Sequence, residues 1–145
     1  MRIPEYVTKD EVRRVCKELG LRDWTAITEP SVEEHEARTI LAALDSADPS
    51  TDVEDFRQGL EVELEHGTMY KDANVTNNHP LLTGCIVLAH FHESADYYRR
   101  LDVAEIEGDL LKATLAGNTA KVDALYRKLM QARWVVSRVE ADRLA

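Results

Sequence analysis

Phe56-Arg57-Gln58-Gly59-Leu60-Glu61-Val62-Glu63-Leu64-Glu65-His66-Gly67 is the stretch that decides the fold class. At roughly 100° per residue, Phe56, Leu60, Leu64, Gly59 and Gly67 share one face of a helix. Arg57, Gln58, Glu61 and Glu65 fall on the opposite face, where solvent is expected. Glu63 lies within the apolar stripe, one turn before His66. A carboxylate facing a core must be paired, protonated or bound to a cation, because an isolated buried charge is too costly. The segment therefore predicts a polar site inside a helical bundle.

Outward from this segment the helical period persists, and no strand of convincing length appears. The apolar run Cys85-Ile86-Val87-Leu88-Ala89 sits inside a longer helical stretch that opens at Pro80, a residue suited to a first helical turn. Thr8-Lys9-Asp10-Glu11, Ser31-Val32-Glu33-Glu34 and Thr51-Asp52-Val53-Glu54 read as capping boxes, a side-chain oxygen and a later carboxylate answering free backbone N–H groups. Gly20 and Gly67 fit positions just past helix ends, and Gly117-Asn118-Thr119 separates the last two helices. The helices are expected at about 9–19, 32–44, 53–67, 80–94, 96–116 and 119–143. The link 45–51 reads as turns. The loop 68–79 is rich in asparagine, which tolerates left-handed geometry and bonds neighbouring backbone; that local role is preferred to a binding role.

The fold class is all-α: one domain of 145 residues, with four main helices and a short N-terminal helix, a ferritin-like bundle being one form of it. Residues 1–50 read as an N-terminal helical hairpin and 52–145 as the bundle core. In the last helix Val122, Leu125, Leu129, Ala132, Val136 and Val139 recur at steps of three and four, a coiled-coil-like seam. It fits either a helix of the same chain or a second copy, which would make the protein a homo-oligomer.

Composition narrows the partners. Hydrophobic residues make up 44% and charged residues 31%, with a net charge of −9. Nucleic-acid phosphates call for a basic face, and Arg13-Arg14 and Arg99-Arg100 are isolated pairs, so no nucleic-acid partner is expected. The same acidity disfavours an anionic membrane surface, and no apolar run is long enough to span a bilayer. Without a charged-then-apolar leader, a cytoplasmic location is expected. The sequon Asn74-Val75-Thr76 carries no meaning in that compartment. Cys16 and Cys85 read as buried free thiols rather than a disulfide.

The fourth helix carries His90, His92 and Glu93 among apolar residues. His90 and Glu93 share a face with each other, while His92 points elsewhere. The third helix thus presents Glu63-x-x-His66 and the fourth His90-x-x-Glu93. An antiparallel pair of helices would set the two motifs in the same spatial order. Carboxylate and imidazole are ligands for iron, manganese or zinc, and Glu-x-x-His recurs in ferritin-like di-metal bundles. Glu33 and Glu105 are weaker additional candidates. Glu61 and Glu65 read as solvated, and Tyr97 and Tyr98 as core or rim residues. A plain alternative is a structural Glu–His pair, with His66 near the last carbonyls of its helix. No nucleophile elbow, phosphate loop, Cys-x-x-Cys or His-Glu-x-x-His string is present.

Gly59-Leu60-Glu61-Val62-Glu63-Leu64-Glu65-His66-Gly67, Asn74-Val75-Thr76-Asn77, Pro80-Leu81-Leu82-Thr83-Gly84, Ala89-His90 and Asp96-Tyr97-Tyr98 together resemble a family of uncharacterised bacterial and phage proteins, a domain of unknown function. The resemblance covers residues 55–105 and implies no activity, cofactor or partner. Two functions follow from the residues themselves. The first is transition-metal binding through Glu63, His66, His90 and Glu93, with redox or oxygen chemistry as its extension. The second is a non-catalytic assembly protein in which the Glu/His network is structural.

Overall fold

The computed structural model describes residues 6–45 and 47–145; the turn-rich link includes Ser46, which lies outside them. Among the described residues the secondary structure is all-helical: α1 (Lys9–Leu19), α2 (Glu34–Ala42), α3 (Val53–Met69), α4 (Pro80–Glu93), α5 (Tyr97–Leu115) and α6 (Thr119–Leu144), with short 3-10 turns at Trp24–Ala26 and Lys71–Ala73. The chain divides into two compact units, Met1–His92 and Glu93–Ala145.

Local chemistry explains most helix ends. Thr8 Oγ1 accepts from the Glu11 amide at 3.2 Å, as its sequence motif predicts. Gly20 closes α1 in left-handed geometry at φ 69°, and the Leu21 amide reaches back to the Cys16 carbonyl at 2.8 Å, a Schellman-type end that only a residue without a Cβ adopts cheaply. The next two starts differ from expectation by one or two residues. Asp52, rather than Thr51, caps α3 by accepting from the Glu54 and Asp55 amides. Glu33, rather than Ser31, precedes α2, and its amide donates to the Glu36 carboxylate. An acidic side chain does the same work as a hydroxyl there and adds a favourable charge at the helix N-terminus.

In the first unit α2 packs on α3. Trp24, Ile40, Phe56, Leu60 and Leu64 are fully buried there. The apolar core closes tightly on Gly84 of α4, where a Cβ would lie 2.8 Å from Leu44 Cδ1 and 3.0 Å from Ile40 Cγ2. Gly67 also departs from the expected helix-end role. It lies inside α3, where a Cβ would fall 1.8 Å from Asn78 Oδ1, so its small size admits the loop that follows. Cys16 is buried and Cys85 exposed, both as free thiols; only the first matches expectation.

The second unit is the α5–α6 pair, turned at Gly117 with φ 65°. Leu129 and Ala132 from the α6 seam pack with Ile106, and Val103, Leu110 and Leu125 close around them. These seam residues therefore serve the chain's own α5. At the open end of the pair, Asp96 has a side chain 1% exposed, with Arg100 at 2.9 Å and Arg143 at 3.2 Å. Ser94 Oγ donates to the same carboxylate. Burial raises the Asp96 pKa, but bonds from Ser94 and Arg100 and the charge of Arg143 outweigh it and hold the group at about 2.

A carboxyl whose folded pKa lies below its ordinary value stabilises the fold above that ordinary value and loses the contribution as pH falls. Asp96→Asn is expected to lower stability by about 2 kcal/mol near neutral pH. In urea titrations followed by circular dichroism, that difference from wild type should shrink towards zero as pH approaches about 2.

Candidate functional site

The stripe that carries Glu63 is buried as its spacing predicts: Phe56 and Leu60 have no exposed surface and Leu64 has 1%. Glu63 sits at the edge of that stripe, its side chain 13% exposed. Two imidazoles approach it. His90 of α4 places Nε2 3.6 Å from Glu63 Oε1, and His66, one turn on in α3, places Nδ1 3.8 Å from Glu63 Oε2. The His90 side chain is 27% exposed and that of His66 66%. Both are ion-pair separations, in which a histidine carries charge only when protonated. Among the described residues, no group of three or more His, Cys, Asp or Glu side chains is arranged as a ready metal-holding cluster.

Glu93 is exposed, ends α4 and belongs to the second unit. His92 and Glu105 are exposed. Glu33 lies 3.2 Å from His35 Nδ1 and 3.9 Å from Arg22 Nε. Tyr98 is buried and Tyr97 half-buried, their rings meeting edge to face. Glu61, expected in solvent, is instead a half-buried tie: it accepts from Arg57 Nη1 at 2.5 Å and from the Val32 amide at 3.0 Å, joining α3 to the approach to α2.

The fully buried glutamate is Glu36, which the sequence reading passed over. Its side chain is 0% exposed. Arg22 donates to it from its backbone amide, from Nε at 3.1 Å and from Nη2 at 2.6 Å. Trp24 Nε1 donates at 3.3 Å and the Glu33 amide at 3.2 Å. Burial pushes the Glu36 carboxyl up, and this set of donors more than offsets it, so the pKa lies below the ordinary value. A signal was present: Glu33-x-x-Glu36 has capping-box spacing, and Glu36, Ala37 and Ile40 share a helix face.

The asparagine loop is built by its own side chains, as expected. Asn77 and Asn78 both have positive φ, 50° and 60°. Asn74 Nδ2 donates to the Gly67 carbonyl and to Asn78 Oδ1, and Asn74 Oδ1 accepts from the Asn78 amide. Asn78 Nδ2 reaches the Trp24 carbonyl at 3.4 Å, and Asn77 Nδ2 the Val7 carbonyl at 2.6 Å. His79 then opens α4, its Nδ1 accepting from the Leu82 amide at 3.4 Å.

The fold and these side chains define an all-helical protein with a glutamate–histidine cluster between α3 and α4. Residues 12–107 match the family described as "Protein of unknown function (DUF5661)", and the chain belongs to that family. The match takes in α2, α3 and α4 and stops within α5, reaching further towards the N-terminus than the resemblance read from 55–105. Neither a curated protein nor a solved structure matches the chain.

Removing one partner of a buried ion pair leaves an uncompensated charge, a loss of about 3–5 kcal/mol. Arg22 keeps 40% of its side chain in solvent, so Arg22→Ala is expected at the lower end, about 3 kcal/mol near neutral pH. Because the wild-type Glu36 pKa is lowered, this stabilisation is present above the ordinary 4.5 and fades as pH falls below it. Chemical denaturation at neutral and acid pH checks both statements.

Proposed function

We propose that Glu63, His66 and His90 bind one transition-metal ion, zinc, manganese or iron(II), making this a metal-binding helical protein. The observation that carries the reading is the pair of nitrogen–oxygen separations at Glu63, 3.6 and 3.8 Å. Two ligands each about 2.1 Å from a tetrahedral metal lie about 3.4 Å from one another. The two imidazoles therefore stand only a few tenths of an ångström beyond coordination spacing from the carboxylate. His66, mostly exposed, is free to rotate as the ion arrives, and His90 and Glu63 are the more enclosed pair. One carboxylate with two imidazoles suits zinc, manganese or iron. Redox or oxygen chemistry of the ferritin-like kind is the natural extension for an iron-loaded form. Only one forward Glu-x-x-His element supports that likeness, and Glu93 is not needed for the ion.

Elemental analysis of untagged protein, loaded anaerobically with each metal and desalted, tests the reading. About one equivalent per chain is expected for the preferred metal, falling to background in Glu63→Ala and His90→Ala. Glu65→Ala, an exposed neighbour, should keep its metal. Less than about a tenth of an equivalent in wild type under every loading overturns it.

A second reading, assembly through α6, is favoured by a separate observation. Tyr126, Met130 and Trp134 are spaced by four residues and are 57%, 48% and 53% exposed, a stripe distinct from the seam that α5 uses. Arg138 stacks over Trp134 at 5.1 Å from the ring centroid. The occupant proposed is a second copy: antiparallel α6 helices crossing at Met130 would set each Tyr126 against the other's Trp134, a self-complementary contact. Sedimentation equilibrium should give a dimer that Met130→Glu converts to monomer. A wild-type monomer at concentrations of about 100 μM, near −5.5 kcal/mol of binding, removes this reading.

A further inference from the structure

His79 stands where three features meet. It is the residue before α4, it is 8% exposed, and it follows the left-handed pair Asn77-Asn78. Its Nδ1 takes the amide of Leu82, the third residue of α4, which is the bond an N-cap side chain makes. Its carbonyl takes both the Thr83 amide at 2.9 Å and Thr83 Oγ1 at 3.0 Å, and its own amide donates to Thr76 at 3.0 Å. An imidazole nitrogen accepts a hydrogen bond only through its lone pair, so this contact requires neutral His79 with its proton on Nε2. Protonation of Nδ1 would place two donors face to face.

The position of this cap matters because of what lies just before it. Asn74, Asn77 and Asn78 hold the loop onto Gly67 of α3, Val7 and Trp24. These are side-chain bonds to backbone, made by residues that lie within five positions of the cap.

We propose that His79 is a proton-operated clasp: neutral, it caps α4 and keeps loop 74–79 closed on α3, Val7 and Trp24; protonated, it loses the cap and releases the loop. The charged groups facing it from α1 are Glu11 and Arg14, which act in opposite directions. Burial, the largest influence, disfavours the imidazolium, Glu11 and a backbone bond favour it, and Arg14 opposes it, leaving the pKa below the ordinary 6.5. The sign follows: the closed form is fully favoured above pH 6.5 and loses ground as pH falls below it.

Amide hydrogen exchange of the full chain, corrected for intrinsic rates, tests the clasp at about pH 7.5 and about pH 5.5, on either side of the histidine range. In wild type, protection at Leu82 and Asn78 is expected to fall several-fold at the lower pH, while Leu60 in the core of α3 keeps its protection. His79→Asn supplies a cap that does not titrate, and its Leu82 and Asn78 protection should be the same at both pH values. Unchanged protection of these amides in wild type overturns the proposal, whatever the variant does. So does a His79→Asn protein that loses the same protection at low pH.

Discussion

A carboxylate with no exposed surface organises the first unit. Glu36 cannot stay ionised there unless donors surround it, and the chain supplies them from three places: Arg22, Trp24 and the amide that opens α2. This fixes where the segment after α1 must run. Trp24 is then held with its carbonyl turned to Asn78, Asn78 is bonded to Asn74, and Asn74 caps the Gly67 carbonyl of α3. One buried charge is thus the first link in a polar chain that ends on the helix carrying Glu63 and His66. Each link is a modest bond of about 0.5–1.5 kcal/mol, but removing a partner leaves a buried group unsatisfied, and that asymmetry makes the arrangement specific.

The second unit meets the same constraint with different parts. Asp96 is as buried as Glu36 and is answered by Ser94, Arg100 and Arg143. Arg143 comes from the far end of α6, so the acid ties the start of one helix to the finish of the next. The apolar layer of Ile106, Leu129 and Ala132 is thin. The remaining cross-links, Lys128 to Asp102, Arg133 to Glu107 and Arg100 to Glu140, are exposed pairs, each worth about 0–1 kcal/mol. The enclosed acid is therefore the strongest single tie at that end.

Helix positions were legible because they are set locally. Thr8, Gly20 and Pro80 act through their own backbone neighbours, and α1 falls at Lys9–Leu19 as read. The face of α3 was legible for a similar reason, since Phe56, Leu60 and Leu64 need only a period and a core. What escaped depends on distant parts of the chain. Glu61 reads as solvated until the Val32 amide is brought to it from 29 residues away. Gly67 reads as a helix end until Asn78 is seen to occupy the space a Cβ would need. Glu36 was hidden by Ser31, a better cap by residue type, although the register that folds is the one that answers the buried carboxylate.

The comparison among the acids bears on function. Glu36 and Asp96 are met by arginine, whose charge does not titrate in the physiological range and whose fork fits a carboxylate directly. Such acids are committed to holding the fold. Glu63 has two imidazoles beside it, at 3.6 and 3.8 Å. Imidazole keeps a lone pair when neutral and can lend it to a metal, which guanidinium cannot. Two imidazoles beside one carboxylate, the outer one mostly exposed, are the features on which the proposed ion site rests.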